Sequence, residues 1–298
     1  MSQPEGLALS PASRPTWRAV LDEGGPVQLP AAHDALTARL IARAGFKAYQ
    51  VGGFALAGTR WAFPDIDLIH FYEENEAIRQ IVAASHLPVL VDAGDGFGDV
   101  KHVTRTVRGY EELGASAIFI EDQQSPVSCG QMGKKEVVPI KEMVGKLKAA
   151  LAARKSADTF ILARTDGRSA EGVSGAIKRA EAYRAAGADG VYVEGLKTAA
   201  ELKRVGKALK GTPLATTLME GGGQLPWLPP EEIHAYGFQM ILYPTTVLFQ
   251  VTRAIERGLA ALKMGKPMAE GNAVDLDTFE EVVGMPGWEQ IEQQFGSK

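Results

Sequence analysis

Several things are scarce in this chain, and each scarcity excludes a class. Cysteine occurs once in 298 residues, at Cys129, so no internal disulfide can form and the fold does not rest on an oxidising compartment. Apolar runs are short: none approaches the roughly 18 residues of a membrane span, and the first twenty residues mix Pro, Ser and Arg without the apolar centre of a secretory leader. Basic blocks are missing, and a net charge of −4 gives nucleic acid or an anionic membrane no electrostatic footprint. The five histidines (His33, His70, His86, His102, His234) fall in helices or turns without ligand spacing and read as structural. A cytoplasmic protein with a small-molecule ligand is what these absences leave.

What is present is ordinary globular material, 45% hydrophobic and 23% charged, enough to bury a large core. Residues 1–16 read as a loose arm. Eight short, largely apolar strands then alternate with helices: 27–30, 48–52, 89–92, 117–121, 160–163, 190–194, 214–218 and 240–243. The intervening helices are expected over 34–44, 74–84, 100–113, 141–154, 171–186, 199–209, 230–236 and 245–264. Three of them stop at Gly45, Gly114 and Gly187, where glycine accepts the left-handed conformation that ends a helix. Continuously apolar strands alternating with helices predict buried parallel strands, and the length suits a closed (β/α)₈ barrel of TIM type over 17–265. A doubly wound open sheet is the alternative. Residues 266–298 are expected to add one or two helices, with Pro286-Gly287-Trp288 as a turn.

In such a barrel the chemistry gathers at the C-terminal ends of the strands, and there the polar residues of this chain fall. Asp92 and Asp95, with Asp65 and Glu121, form an all-oxygen set whose hardness points to Mg²⁺, or Mn²⁺, with waters and substrate oxygens completing the shell. The bland reading is that Asp and Gly simply populate turns after strands; the repetition on successive strand ends favours the metal. Arg164, directly after an apolar stretch, needs an anionic partner: a structural pair with Glu194 or Glu121, or a substrate carboxylate. Gly52 and Gly53 allow close backbone approach to a ligand.

Cys129 lies in a polar segment, Ser128-Cys129-Gly130-Gln131-Met132-Gly133-Lys134-Lys135. A buried filler is the usual role of a lone cysteine, but this loop suggests a mobile acid/base thiol, whose pKa of about 8.5 the neighbouring lysines are expected to lower. The Lys/Glu runs near 141–154 and 197–210 read as solvated helix faces.

Taken in order, His33-Asp34-Ala35-Leu36, Gly52-Gly53, Pro64-Asp65, Val91-Asp92-Ala93, Gly96-Phe97-Gly98, Ile120-Glu121-Asp122-Gln123, Cys129-Gly130, Ala163-Arg164-Thr165-Asp166, Val193-Glu194, Glu220-Gly221-Gly222 and Tyr243-Pro244 resemble the isocitrate lyase and phosphoenolpyruvate mutase superfamily across about residues 20–265. The resemblance implies a barrel whose last helix is exchanged between subunits of a homotetramer, with Mg²⁺ at the strand ends. It also implies a carbon–carbon lyase cleaving a substituted 2-hydroxy di- or tricarboxylate, of 2-methylisocitrate or alkylmalate type, to an oxoacid (pyruvate or glyoxylate) and a second acid. Cys129-Gly130 resembles the lyase branch, in which the loop cysteine protonates the carbanion-like product, more than the phosphonate mutases.

By that likeness Asp92 holds the metal directly and Asp65, Asp95 and Glu121 hold its waters. Arg164, Gly52 and Gly53 steady the oxoacid, Tyr49 covers it, and Glu194, Gly130, Gln131 and Thr217 complete the substrate site. The chain departs from the family pattern at Val51, Gly94, Phe119, Val127, Ser128, Gln131 and Thr217. The lid thereby loses cationic side chains and the floor gains apolar ones, so a substrate of lower charge or with a bulkier apolar group is expected. The alternatives are an oxaloacetate hydrolase or decarboxylase, a phosphonate-type 2-oxoacid enzyme, or a noncatalytic paralogue.

Overall fold

The computed structural model describes residues 14–221, 225–267 and 269–296. Eight strands, β1 (Val27–Pro30), β2 (Tyr49–Val51), β3 (Val89–Asp92), β4 (Ala117–Glu121), β5 (Phe160–Thr165), β6 (Gly190–Val193), β7 (Leu214–Thr217) and β8 (Met240–Tyr243), pair in parallel in the order β1-β8-β7-β6-β5-β4-β3-β2. A parallel bridge between Ala31 and Gln50 and the Ala32 N–Gln50 O bond of 2.8 Å bring the two ends together. The expected (β/α)₈ barrel is therefore the fold, and the open sheet is excluded.

Helices α1 (Trp17–Asp22), α2 (Ala35–Arg43), α3 (Gly53–Leu56), α4 (Phe71–Ala83), α5 (Val100–Glu112), α6 (Ile140–Ala153), α7 (Gly167–Ala185), α8 (Ala199–Ala208), α9 (Pro230–Ala235) and α10 (Thr246–Lys263) surround the sheet. Gly45, Gly114 and Gly187 end α2, α5 and α7 with φ of 81°, 90° and 103°, as glycine alone does without strain. Sequence reasoning missed α1 and α3. The first is amphipathic for less than two turns; its Trp17 is wholly buried among Val27, Leu29, Ala117 and Phe160 and closes the N-terminal end of the barrel.

The arm is anchored where it is described: Arg14 donates to the carbonyls of Ser85 (2.8 Å) and Val82 (2.5 Å), so residues 14–16 are not loose, whereas residues 1–13 lie outside the described set. At the other end α11 (Leu276–Val283) and α12 (Met285–Phe295) supply the expected extra helices. Pro286-Gly287-Trp288 is the first turn of α12 rather than a connecting turn, because proline tolerates an early helical position where its missing N–H costs nothing.

Strand alternation splits the core in two. Leu90, Phe119, Leu162, Tyr192, Ala215 and Leu242 point into the barrel; Tyr49, Val51, Val89, Val91, Ile118 and Ile161 point out against the helices. Each such side chain is worth about 1.5–3 kcal/mol buried, and the two layers together fix which strand residues can reach the barrel mouth.

Candidate active site

Register assembles the mouth. Asp92 lies opposite Phe119, and Glu121 opposite Arg164, which in turn lies opposite Tyr192. Because side chains alternate, Glu121 shares the inward face of Phe119, and Glu194 that of Tyr192. The result is two adjoining cavities that share Asp65, Asp92, Cys129 and Arg164. Gly53, Glu74, Asp95 and Glu121 line the first; Gly52, Gly130, Gln131, Glu194 and Thr217 line the second.

Carboxylates crowd the first cavity. Asp92 accepts from Gly94 N (2.9 Å) and Gly53 N (3.2 Å). Around Gly53, a Cβ would meet Glu74 Oε1 at 3.6 Å, Asp92 Oδ2 at 3.7 Å and Asp65 Oδ1 at 3.8 Å, so three carboxylates face one small backbone position. Burial, and then the charge of Asp92, pushes Asp65 up to about 6; burial also raises Asp92, Glu74 and Glu121. Glu74 was not visible in the sequence as a site residue, since it sits inside α4 among other acids; only the fold turns it toward Asp92.

Arg164 answers part of this charge. Its Nη1 is 3.0 Å from Glu121 Oε2, and its Nε and Nη2 reach Asp166 at 3.0 and 3.2 Å, while its plane lies over Phe119 and Tyr192. The expected pairing with Glu121 is found, that with Glu194 is not; Glu194 instead accepts from Tyr192, from Thr217 Oγ1 (2.8 Å) and from Gln131 of the lid. Tyr192, a further site residue the sequence reading missed, is legible in retrospect by alternation from Glu194.

Among the described residues no group of three His, Cys, Asp or Glu side chains converges on a single ion position. The donor set nonetheless fits a hydrated Mg²⁺: the oxygens are hard, mutually repelling and buried (Glu121) or half-buried (Asp65, Asp92), Arg164 is the one cation lining the cavity among the described residues, and Mg²⁺ keeps most of its waters. Asp92 would hold it directly, with Asp65 and Glu121 on its waters. Asp95 borders the cavity, and it also serves the fold: its Oδ2 pairs with Lys146 Nζ at 3.2 Å and its Oδ1 accepts from Phe97 N at 2.9 Å, one bond on each oxygen. Lys146 is accordingly buried, an exception to the solvated face expected of 141–154.

The lid after β4 is folded down. Ser128 is held from both sides, by Gln123 (N to Oε1 3.2 Å, Nε2 to O 2.9 Å) and by Lys135 Nζ on its carbonyl at 3.2 Å. Asp67 accepts from Ser125 Oγ (3.0 Å) and Val127 N (3.3 Å), and Cys129 N donates to Asp65 O at 3.3 Å. A Cβ on Gly130 would come within 2.4 Å of Arg164 Nη2, so only glycine lets the lid lie on that pair. Burial, and with it the charges of Asp65 and Glu194, pushes the Cys129 thiol up to about 11, the reverse of the lowering expected from Lys134 and Lys135.

Two expected residues face elsewhere. Tyr49 pairs with Val89 on the outer face and is fully buried against the helices, its hydroxyl without a partner among the described residues; Val51 shares that face. Neither touches the cavities, and Gln50 between them lines the second cavity instead. Gly222 lies outside the described residues.

Comparison with known proteins agrees with this geometry. The family described as phosphoenolpyruvate phosphomutase matches residues 17–263. The chain is 38% identical to 2,3-dimethylmalate lyase of Eubacterium barkeri over 93% of its length and 94% of that protein, and 37% identical to 2-methylisocitrate lyase of Bacillus subtilis over 89% and 86%. Among solved structures it resembles 2,3-dimethylmalate lyase, described as a PEP mutase/isocitrate lyase superfamily member (TM-score 0.86, 28% identity, 94% of each chain). It also resembles phosphonopyruvate hydrolase complexed with oxalate and Mg²⁺ (TM-score 0.84, 29% identity, 94% of this chain and 98% of that one). The chain belongs to the phosphoenolpyruvate mutase/isocitrate lyase family.

Proposed function

We propose that this protein is a Mg²⁺-dependent carbon–carbon lyase that cleaves a substituted 2-hydroxy acid of the malate type into a 2-oxoacid and a second carboxylic acid. The observation that carries the reading is the sharing of Cys129, Arg164, Asp65 and Asp92 by both cavities, which puts a thiol, a guanidinium and a carboxylate set around one small volume. The relatives, a 2,3-dimethylmalate lyase and a 2-methylisocitrate lyase, support the same reaction class.

When bound, Mg²⁺ would polarise the substrate's hydroxyl and carboxylate oxygens. Arg164, already oriented by Asp166 and Glu121, offers its guanidinium to the oxoacid carboxylate, and the backbone at Gly52 and Gly53 closes against it. Cys129 is half-buried and protonated at neutral pH, the form required of a general acid that delivers a proton to the carbon released by cleavage. The lid excludes water while that carbon is reactive.

Outside the barrel, α10 has no buried residue although Phe249, Ile255, Leu259 and Leu262 are apolar and exposed. This supports an assembly in which α10 is covered by another subunit, a homotetramer by the family likeness, testable by native mass measurement. No helix among the described residues is long and apolar enough to cross a membrane, which accords with the cytoplasmic location we assign; fractionation tests it.

The activity is tested by incubating the protein with Mg²⁺ and alkylmalates, isocitrate, 2-methylisocitrate and oxaloacetate and following oxoacid formation or loss. Oxoacid release abolished by EDTA and by Cys129→Ser supports the lyase. Loss of oxaloacetate that survives Cys129→Ser would support a hydrolase instead.

A further inference from the structure

The second cavity carries little positive charge. Among the described residues Arg164 is the only cation lining either cavity, and it is already engaged by Glu121 and Asp166. The nearest lysines are committed, Lys135 to Ser128 and Lys146 to Asp95. The lid contributes neutral Gln131, itself held by Glu194. Across the barrel mouth from Asp92, on the ends of β7 and β8, the wall is uncharged: Met219, Leu242 and Pro244 are apolar, with Thr217 and Thr245 beside them.

We infer that the substrate bears an uncharged alkyl group on carbon 3, and that a third carboxylate at that carbon is rejected. The inference rests on the lyase reading and names its substrate class. The hydroxy acid's first carboxylate meets Arg164 and the acidic, cation-demanding side of the site. Its carbon-3 substituent then projects toward the apolar wall, where an ionised group would be buried with no counter-charge and with Glu194 close by. In the cleavage the C2–C3 bond breaks and its electron pair passes to carbon 3. The hydroxyl hydrogen leaves as a proton to solvent and the Cys129 thiol gives one to carbon 3, its thiolate then regaining a proton from solvent, so that a 2-oxoacid and a saturated carboxylic acid form without oxidant or reductant.

Two acids that share a methyl group on carbon 2, and so both release pyruvate, isolate the effect: 2,3-dimethylmalate has a methyl on carbon 3, 2-methylisocitrate a carboxymethyl. With Mg²⁺ and full-length protein, kcat/KM should favour the dimethylmalate by at least about 100-fold, the scale of an unpaired buried charge. Placing a cation on the wall by Met219→Lys should narrow that ratio by at least about 10-fold. A wild-type ratio near unity, or one favouring the tricarboxylate, overturns the inference while leaving the lyase intact.

Calorimetric binding of the same two acids to Cys129→Ser protein with Mg²⁺ reads selectivity without turnover. Preferential binding of the dimethylmalate with no cleavage of either acid by the wild type would sink the lyase reading and sustain the selectivity; equal binding would sink the selectivity.

Discussion

Asp122 is the residue whose removal should cost the fold most relative to its size. It adjoins Glu121 on β4 but points the other way, wholly buried, and accepts four hydrogen bonds: from Tyr183 Oη (2.6 Å), Thr165 Oγ1 (2.7 Å), Asp166 N (2.9 Å) and Arg179 Nη1 (3.2 Å). Asp122→Ala removes the acceptor of all four and the counter-charge of Arg179, whose Nη1 retains only the Val138 carbonyl (2.8 Å) and Tyr183 Oη (3.2 Å). Arg179 keeps Glu171 at 2.6 Å, which limits the loss. Breaking a buried charged pair and its bonds costs about 3–5 kcal/mol. For a chain of 298 residues, with about 2.1 cal/mol/K of unfolding entropy per residue, each kcal/mol shifts Tm by roughly 1.6 °C, so the melting temperature should fall by about 5–8 °C.

Asp122→Asn, which keeps the shape and one acceptor, should lose about half as much. Because Thr165 and Asp166 carry the end of β5, Arg164 should lose its orientation and kcat/KM should drop even below the melting range. Circular dichroism melts at fixed protein concentration, paired with the oxoacid assay, measure both. A fall of less than about 2 °C for Asp122→Ala would show that the network is not what holds β4 to β5.

Three further outcomes are expected. Asp67→Ala removes the anchors of Ser125 and Val127, so the lid should close less often and kcat/KM fall about 10-fold with Tm nearly unchanged; kinetics identical to wild type would contradict a latch. Lys146→Met leaves the half-buried Asp95 without its cation and should destabilise by about 1–3 kcal/mol, most of it recovered by adding Asp95→Asn; additive losses in urea unfolding would refute the pairing.

The buried His33 ring, with Nε2 on Thr37, has its pKa lowered by burial. The folded state thus binds this proton less readily than the unfolded chain, and stability present above about 6.5 is lost as pH falls through and below it. His33→Gln should flatten the pH dependence of Tm between about 5 and 6.5; an unchanged slope would assign it to other groups.

The sequence reading was right about periodicity and strand ends because both are local. Eight apolar runs and the glycines closing α2, α5 and α7 state their conformations from their own side chains. Where alternation was not applied the reading erred: Tyr49 and Val51 were expected at the site, yet two-residue periodicity from Val89 and Val91 through the β2–β3 register puts them outside. Pro286 was read as part of a turn although it stands in the first turn of a helix, where proline is tolerated.

Residue types alone determined the barrel, the carboxylate-rich mouth and a thiol on a polar loop, since hydrophobic period and the chemistry of Asp, Glu, Arg and Cys are properties of the chain. Tertiary structure decided the charges: which acid finds a cation, which lysine is consumed, and how far each group is from water. That is why Asp95 pairs with Lys146, why Glu74 joins the site from the interior of a helix, and why Cys129 keeps its proton despite the lysines beside it in sequence.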